Sequence, residues 1–148
     1  SPYGVRLRET VIDGSHTAMY EPEEAEAAQI REIYRLYAVG DDTMQSLAKR
    51  LPECGIPHLR GGTWLSARIS EMLRNPIYVC ADGRIRDYFL RTGVTVPEDA
   101  AHFTGKNGCY LFNSAGESVL IAAPHAGLVD SGLWLACRHK AERAQRTR

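Results

Sequence analysis

The chain of 148 residues lacks most of the features that would place a protein at once. No apolar run approaches the roughly 18 residues that a membrane-crossing helix needs, which excludes a helical membrane protein. No basic segment followed by an apolar stretch opens the sequence, so no secretory signal is visible. The four cysteines, Cys54, Cys80, Cys109 and Cys137, lie 26, 29 and 28 residues apart. None forms a C-x-x-C pair, so the usual signature of a zinc site is missing. Two disulfides are possible in principle, but without a secretion signal reduced thiols and a cytoplasmic setting are the expectation. The phosphate-cradling P-loop, the H-E-x-x-H helix and the G-x-S-x-G elbow are all absent. The expectation is therefore no catalytic residue, no metal and no cofactor, although spacing alone leaves open a Cys/His pair that meets only in space. Glu23, Glu24 and Glu26 read as a solvated helix N-terminus, and Asp41-Asp42 as a loop and cap.

Net charge is absent too, with 18 Lys and Arg balancing 18 Asp and Glu. A zero total speaks at first against nucleic acid, whose partners usually carry an electropositive face. The distribution is uneven, however. Residues 58–91 carry a net +3, including Arg60, Arg68, Arg74, Arg84, Arg86 and Arg91, and residues 131–148 carry +4, against acidic stretches elsewhere. Apolar residues at 44% and charged residues at 24% match an ordinary globular domain, and the length fits one, 1–148. Beginning Ser1-Pro2-Tyr3 rather than with Met, the chain reads as a piece of something longer.

Periodicity predicts the elements. Residues 3–20 read as a hairpin turning at Asp13-Gly14-Ser15. Pro22 opens a helix whose Ile30, Ile33, Tyr34 and Tyr37 form one stripe, closed by a left-handed Gly40. Asp42 with Gln45 caps a second helix carrying Met44, Leu47, Ala48 and Leu51, ended by Pro52. Thr63 caps a third, with Leu65, Ile69, Met72 and Leu73 inward, stopped by Asn75-Pro76. Residues 77–80 and 85–90 read as strands about Asp82-Gly83, 92–108 as irregular, and 108–112 with 118–122 as a second strand pair. Asp130 caps a last helix with Leu133, Trp134, Cys137 and Ala141 inward, fraying from Arg143 to Arg148. The fold class predicted is α+β: a helix-turn-helix-like, winged-helix-like helical half, a small antiparallel sheet and a C-terminal helix.

Three helices, the last with a small polar face, followed by a hairpin, suit the major groove. That groove is about 12 Å wide and accepts one helix, and small side chains let its backbone approach the base edges. Thr63, Ser66, Ala67 and Ser70 would face the bases, with Arg60, Arg68 and Arg74 on the rim and Arg84 and Arg86 along the backbone. Periodicity equally fits a solvated surface helix, and charges on an edge strand equally fit protection against aggregation. A winged-helix regulator fragment shares this pattern, and a protein-interaction module would use Trp64, Trp134 and the tyrosines as anchors.

Residues 49–78 narrow the choice. Lys49-Arg50-Leu51-Pro52-Glu53-Cys54-Gly55-Ile56, then Arg60-Gly61-Gly62-Thr63-Trp64, then Ile69-Ser70-Glu71-Met72-Leu73-Arg74-Asn75-Pro76-Ile77-Tyr78, resemble the recombinase domain of large serine recombinases. Pro2-Tyr3-Gly4-Val5-Arg6, the entry at Glu21-Pro22-Glu23-Glu24-Ala25, Ile33-Tyr34-Arg35-Leu36-Tyr37, and Leu128-Val129-Asp130 with Leu133-Trp134 extend the resemblance along the chain. Cys80, Val5 and Pro52 depart from the family pattern, and residues 92–117 do not align with it. The resemblance implies a partner, double-stranded DNA at an attachment site. It also implies an N-terminal domain with a strand-cleaving serine before Ser1, a zinc ribbon afterwards, and contacts with other recombinase subunits through those domains. This chain would then bind DNA without cutting it.

Overall fold

A computed structural model describes residues 1–146 as a mixed α+β fold. In chain order it runs β1 (Val5–Ile12), β2 (Ser15–Pro22), α1 (Glu24–Val39), α2 (Met44–Arg50), α3 (Ser66–Met72), α4 (Gly83–Arg91), β3 (Asn107–Ser114), β4 (Glu117–Ala126) and α5 (Ser131–Arg146). The strands form two separate antiparallel hairpins, β1-β2 and β3-β4. Ile12 pairs with Ser15 across Asp13 and Gly14, both at positive φ, which is the two-residue turn that matches strand twist. Ala115 and Gly116 repeat the device between Ser114 and Glu117.

The long helix α1 buries the predicted stripe: Ile30, Ile33, Tyr34 and Tyr37 are each at most 1% exposed. Each such burial contributes roughly 1.5–3 kcal/mol. Helix α5 crosses α1, with Trp134 and Cys137 fully buried beside it. Burial pushes the Cys137 thiol up to about 12, so it packs as a small apolar group. Lys140 of α5 donates to Tyr37 O at 2.7 Å and Gly40 O at 2.9 Å, placing a cation on the carbonyl end of α1. Tyr34 Oη reaches across to Met72 O at 2.5 Å, and Trp134 Nε1 to Asn75 O at 3.3 Å. Both bonds end at the C-terminus of α3, so the two long helices fix where that short helix stops.

Several sequence expectations are corrected. Residues 83–91 are not a strand of a hairpin but α4, because Asp82 is an N-cap whose carboxylate accepts from Arg84 N and Ile85 N. Pro76–Tyr78 form a 3₁₀ turn where a strand over 77–80 was expected, and Val79 bridges in parallel to Val129. The wing predicted to carry Arg84 and Arg86 therefore does not exist there. Pro22 ends β2, and Glu23 caps α1. Gly40 has φ −99°, so α1 ends without a left-handed residue. Thr43, not Asp42, caps α2, in a reciprocal capping box with Ser46. Helix α3 begins at Ser66, leaving Thr63 in the preceding loop, and Leu65 is 58% exposed where a buried residue was expected. Helix α5 stays regular to Arg146, short of the fraying expected from Arg143; Thr147 and Arg148 lie outside the described residues.

His125 of β4 is buried where the two hairpins meet, against the rings of Tyr20 and Tyr110. Its Nε2–H donates to Ile77 O at 2.8 Å, and Nδ1 has no partner among the described residues. Burial holds its pKa below the ordinary value of about 6.5. The unfolded chain thus takes up a proton that the folded one resists, and this group's contribution is present above pH ~6.5 and lost as pH falls below it. Melting temperature should accordingly drop between pH 7 and pH 5, and drop less in His125→Gln. Equal pH dependence in both proteins would show that His125 is not the responsible group.

Candidate nucleic-acid interface

The site is built around α3. Ile69, Met72 and Leu73 turn inward at i, i+3 and i+4, which leaves the opposite side free. On that side Ala67, Arg68, Glu71 and Arg74 are exposed and Ser66 and Ser70 half-buried. Arg68 Nη1 meets Glu71 at 2.9 Å, with both side chains more than half exposed. Such a surface pair is worth ~0.2–1 kcal/mol, so Arg68 is easily drawn to a stronger anion. Arg74 donates to Ser70 Oγ at 2.9 Å, one turn back. Glu71 was not foreseen as part of this face. Its spacing of three from Arg68 and four from Ala67 is the signal that would have found it.

Two of the concavities that border the face flank Arg74. One, of about 360 Å³, separates Arg74 and Pro76 from Leu111 of β3. The other, of about 460 Å³, separates Ser70 and Arg74 from Thr43 at the start of α2 and from Arg138 on α5. The β3-β4 hairpin thus faces the C-terminal end of α3 through Leu111.

The remaining predicted residues are dispersed. Thr63 is exposed on the loop into α3. Arg84 contacts Ser131 Oγ at 2.7 Å and Asp82 at 3.6 Å, while Arg86 donates to Glu98 O at 3.2 Å. These bonds tie α4 to the start of α5 and to the 92–106 loop. Arg60 is exposed and shares a concavity with Arg68 and Glu71, but its guanidinium is engaged: Nε and Nη2 grip Glu26 at 2.9 and 2.8 Å, and it also reaches Ser1 O and Pro2 O. Glu26 was read as solvated, yet it is 6% exposed and also accepts from Gly4 N–H at 2.9 Å. The Arg60 guanidinium holds its carboxyl below the usual range. Helices α2 and α3 are joined by residues 51–65, a much longer connection than the 3–4-residue turn of a tight helix-turn-helix.

Among the described residues no three His, Cys, Asp or Glu side chains converge as a metal site, and no helix is long and apolar enough to cross a membrane.

The class so defined is an α+β domain that presents one short helix, small and hydroxyl-bearing at its centre and cationic at its edges. The chain belongs to the Recombinase family, whose model matches residues 24–144. Two solved structures share the fold, each with a TM-score of 0.53 and 17% identity over 95% of this chain. One concerns the sequence requirements of the Listeria innocua prophage attP site, the other is the crystal structure of an LSR–DNA complex. This chain spans 42% of the first and 30% of the second, less than half of either. No curated protein sequence matches it.

Proposed function

We propose that this chain is a DNA-binding module of a site-specific serine recombinase and reads part of an attachment site. The observation that carries the reading is the exposed face of α3 in a member of the Recombinase family. Ser66, Ala67 and Ser70 lie on its groove side and Thr63 leads into it. Glu71 is placed to accept from a cytosine amino group, and Arg68 and Arg74 to leave their weak partners for phosphate or guanine. Strand cleavage by a serine, and contact with other subunits, belong in this reading to other parts of a longer protein acting on the nucleoid in the cytoplasm. Both solved structures share the fold; one concerns a prophage attP site and the other is an LSR–DNA complex, which supports the reading. An interaction module anchored on tryptophan is not favoured, because Trp64 and Trp134 are 6% and 0% exposed.

The test is salt. Binding of the chain to a duplex selected from a randomised library should weaken with salt at a log–log slope of about −2 to −3, for two or three phosphates. Replacing both Arg68 and Arg74 by alanine should flatten that slope by about two. A flat response in the wild-type chain would sink the proposal.

A further inference from the structure

The loop that delivers α3 is fastened to the start of the chain and to α1 by a set of polar bonds, some of them made by the core residues Tyr3 and Trp64. Gln29 Nε2 donates to Pro57 O at 2.8 Å. The Tyr3 hydroxyl donates to Gln29 and accepts from Leu59 N–H at 3.1 Å. Glu26 holds Arg60 in two places and Gly4 N–H in a third, and the guanidinium lies 5.2 Å from the Tyr3 ring centre. Trp64 closes the loop on itself through Ile56 O at 2.8 Å and packs edge-on to Tyr3. Helix α3 is too weak to orient itself: seven residues are below the length at which a helix persists alone, and its N-cap, Leu65, makes no side-chain cap bond. Its direction is therefore inherited from this loop at one end and from Tyr34 and Trp134 at the other.

We infer that Arg60 is a positioning residue, clamped by Glu26 over Tyr3 to aim α3, and that it makes no phosphate contact. The inference rests on the DNA-binding reading and deepens it. A phosphate-contacting arginine and a clamping arginine respond differently to three changes. Lysine keeps the charge but cannot reproduce the two-pronged grip on a carboxylate. Glutamine at position 26 removes an anion, which would help phosphate binding but opens the clamp. Loss of a phosphate contact lowers the salt slope by about 0.9, whereas misaiming a helix lowers affinity at every salt concentration.

The experiment measures affinity for the library-selected duplex across a salt series, using the whole chain and its Arg60→Lys, Glu26→Gln and combined variants. Arg60→Lys and Glu26→Gln should each weaken binding roughly tenfold, in line with the loss of one base-reading pair. The combined variant should be no worse than either alone. All slopes should stay at the wild-type value, while Arg68→Gln lowers its own by about 0.9. Hydrogen exchange at residues 57–66 should rise in the clamp variants and leave α1 and α5 protected, which separates misaiming from unfolding. Arg60→Lys binding at wild-type strength, or Glu26→Gln binding more tightly, would overturn the clamp and leave the DNA reading intact. Absence of duplex binding by the wild-type chain would overturn both.

Discussion

Replacing Trp134 by alanine should cost about 3–5 kcal/mol, the range seen when a large aromatic is removed from a core that cannot collapse. Trp134 is fully buried, with Tyr88 and Phe89 of α4 each 5.7 Å from it ring to ring, and its indole N–H reaches Asn75 O. The change removes the largest apolar side chain between α5 and α4 and one of the two bonds that meet the C-terminal end of α3. Against a total stability of about 5–15 kcal/mol this is a large fraction. At roughly 2–4 °C per kcal/mol for a chain of this size, the melting temperature should fall by about 6–20 °C. Leu65→Ala, equally apolar but 58% exposed, should change stability by less than about 0.5 kcal/mol. Urea denaturation of the two variants checks the contrast. A cost below about 1 kcal/mol for Trp134→Ala would mean that the packing between α4 and α5 does not hold the domain together.

The same residues show why part of this fold is readable in the sequence and part is not. The stripe Ile30, Ile33, Tyr34, Tyr37 has a single geometric solution and is buried as expected, and of the α5 stripe Trp134, Cys137 and Ala141 are buried and Leu133 half-buried. Asp-Gly, by contrast, has two. At Asp13-Gly14 the dipeptide makes a two-residue turn, because the flanks alternate and can pair. At Asp82-Gly83 the aspartate caps a helix, and Ile85, Tyr88 and Phe89, spaced i, i+3, i+4, are the buried stripe that decides it. That spacing is visible in the sequence and outweighs the dipeptide. The start of α3 is harder to read, because two successive glycines at positive φ, Gly61 and Gly62, prolong the loop and no side chain marks the cap. The free side of α3 follows from periodicity, so Ser66, Ala67, Arg68, Ser70 and Arg74 were legible as one face. Whether an arginine is free to meet a phosphate was not. Glu26 lies 34 residues from Arg60 and meets it only because α2 and the connection 51–65 return the chain to the start of α1. Local sequence carries no trace of such a pairing.

Ala67→Glu should abolish most DNA binding while leaving the fold untouched. Residue 67 is exposed at the middle of the α3 face, between Ser66 and Arg68 and one turn before Ser70 and Glu71. Glutamate is nearly as good a helix former as alanine, and near the N-terminal end of a helix its charge is mildly favourable. Stability should therefore change by less than about 0.5 kcal/mol. In a groove the same side chain fills the space that lets the backbone approach the bases and sets an anion against phosphates. The repulsive element should cost about 2–4 kcal/mol, or roughly 30- to 1000-fold in affinity. Ala67→Ser adds only a hydroxyl of the kind already present at Ser66 and Ser70, and should stay within about threefold of wild type. Thermal melts with duplex titrations of the two variants separate the outcomes. Loss with glutamate and retention with serine mark α3 as the helix that enters the groove. Unchanged affinity in both would move the DNA contact to another face, with the β3-β4 hairpin beside Arg74 the first place to look.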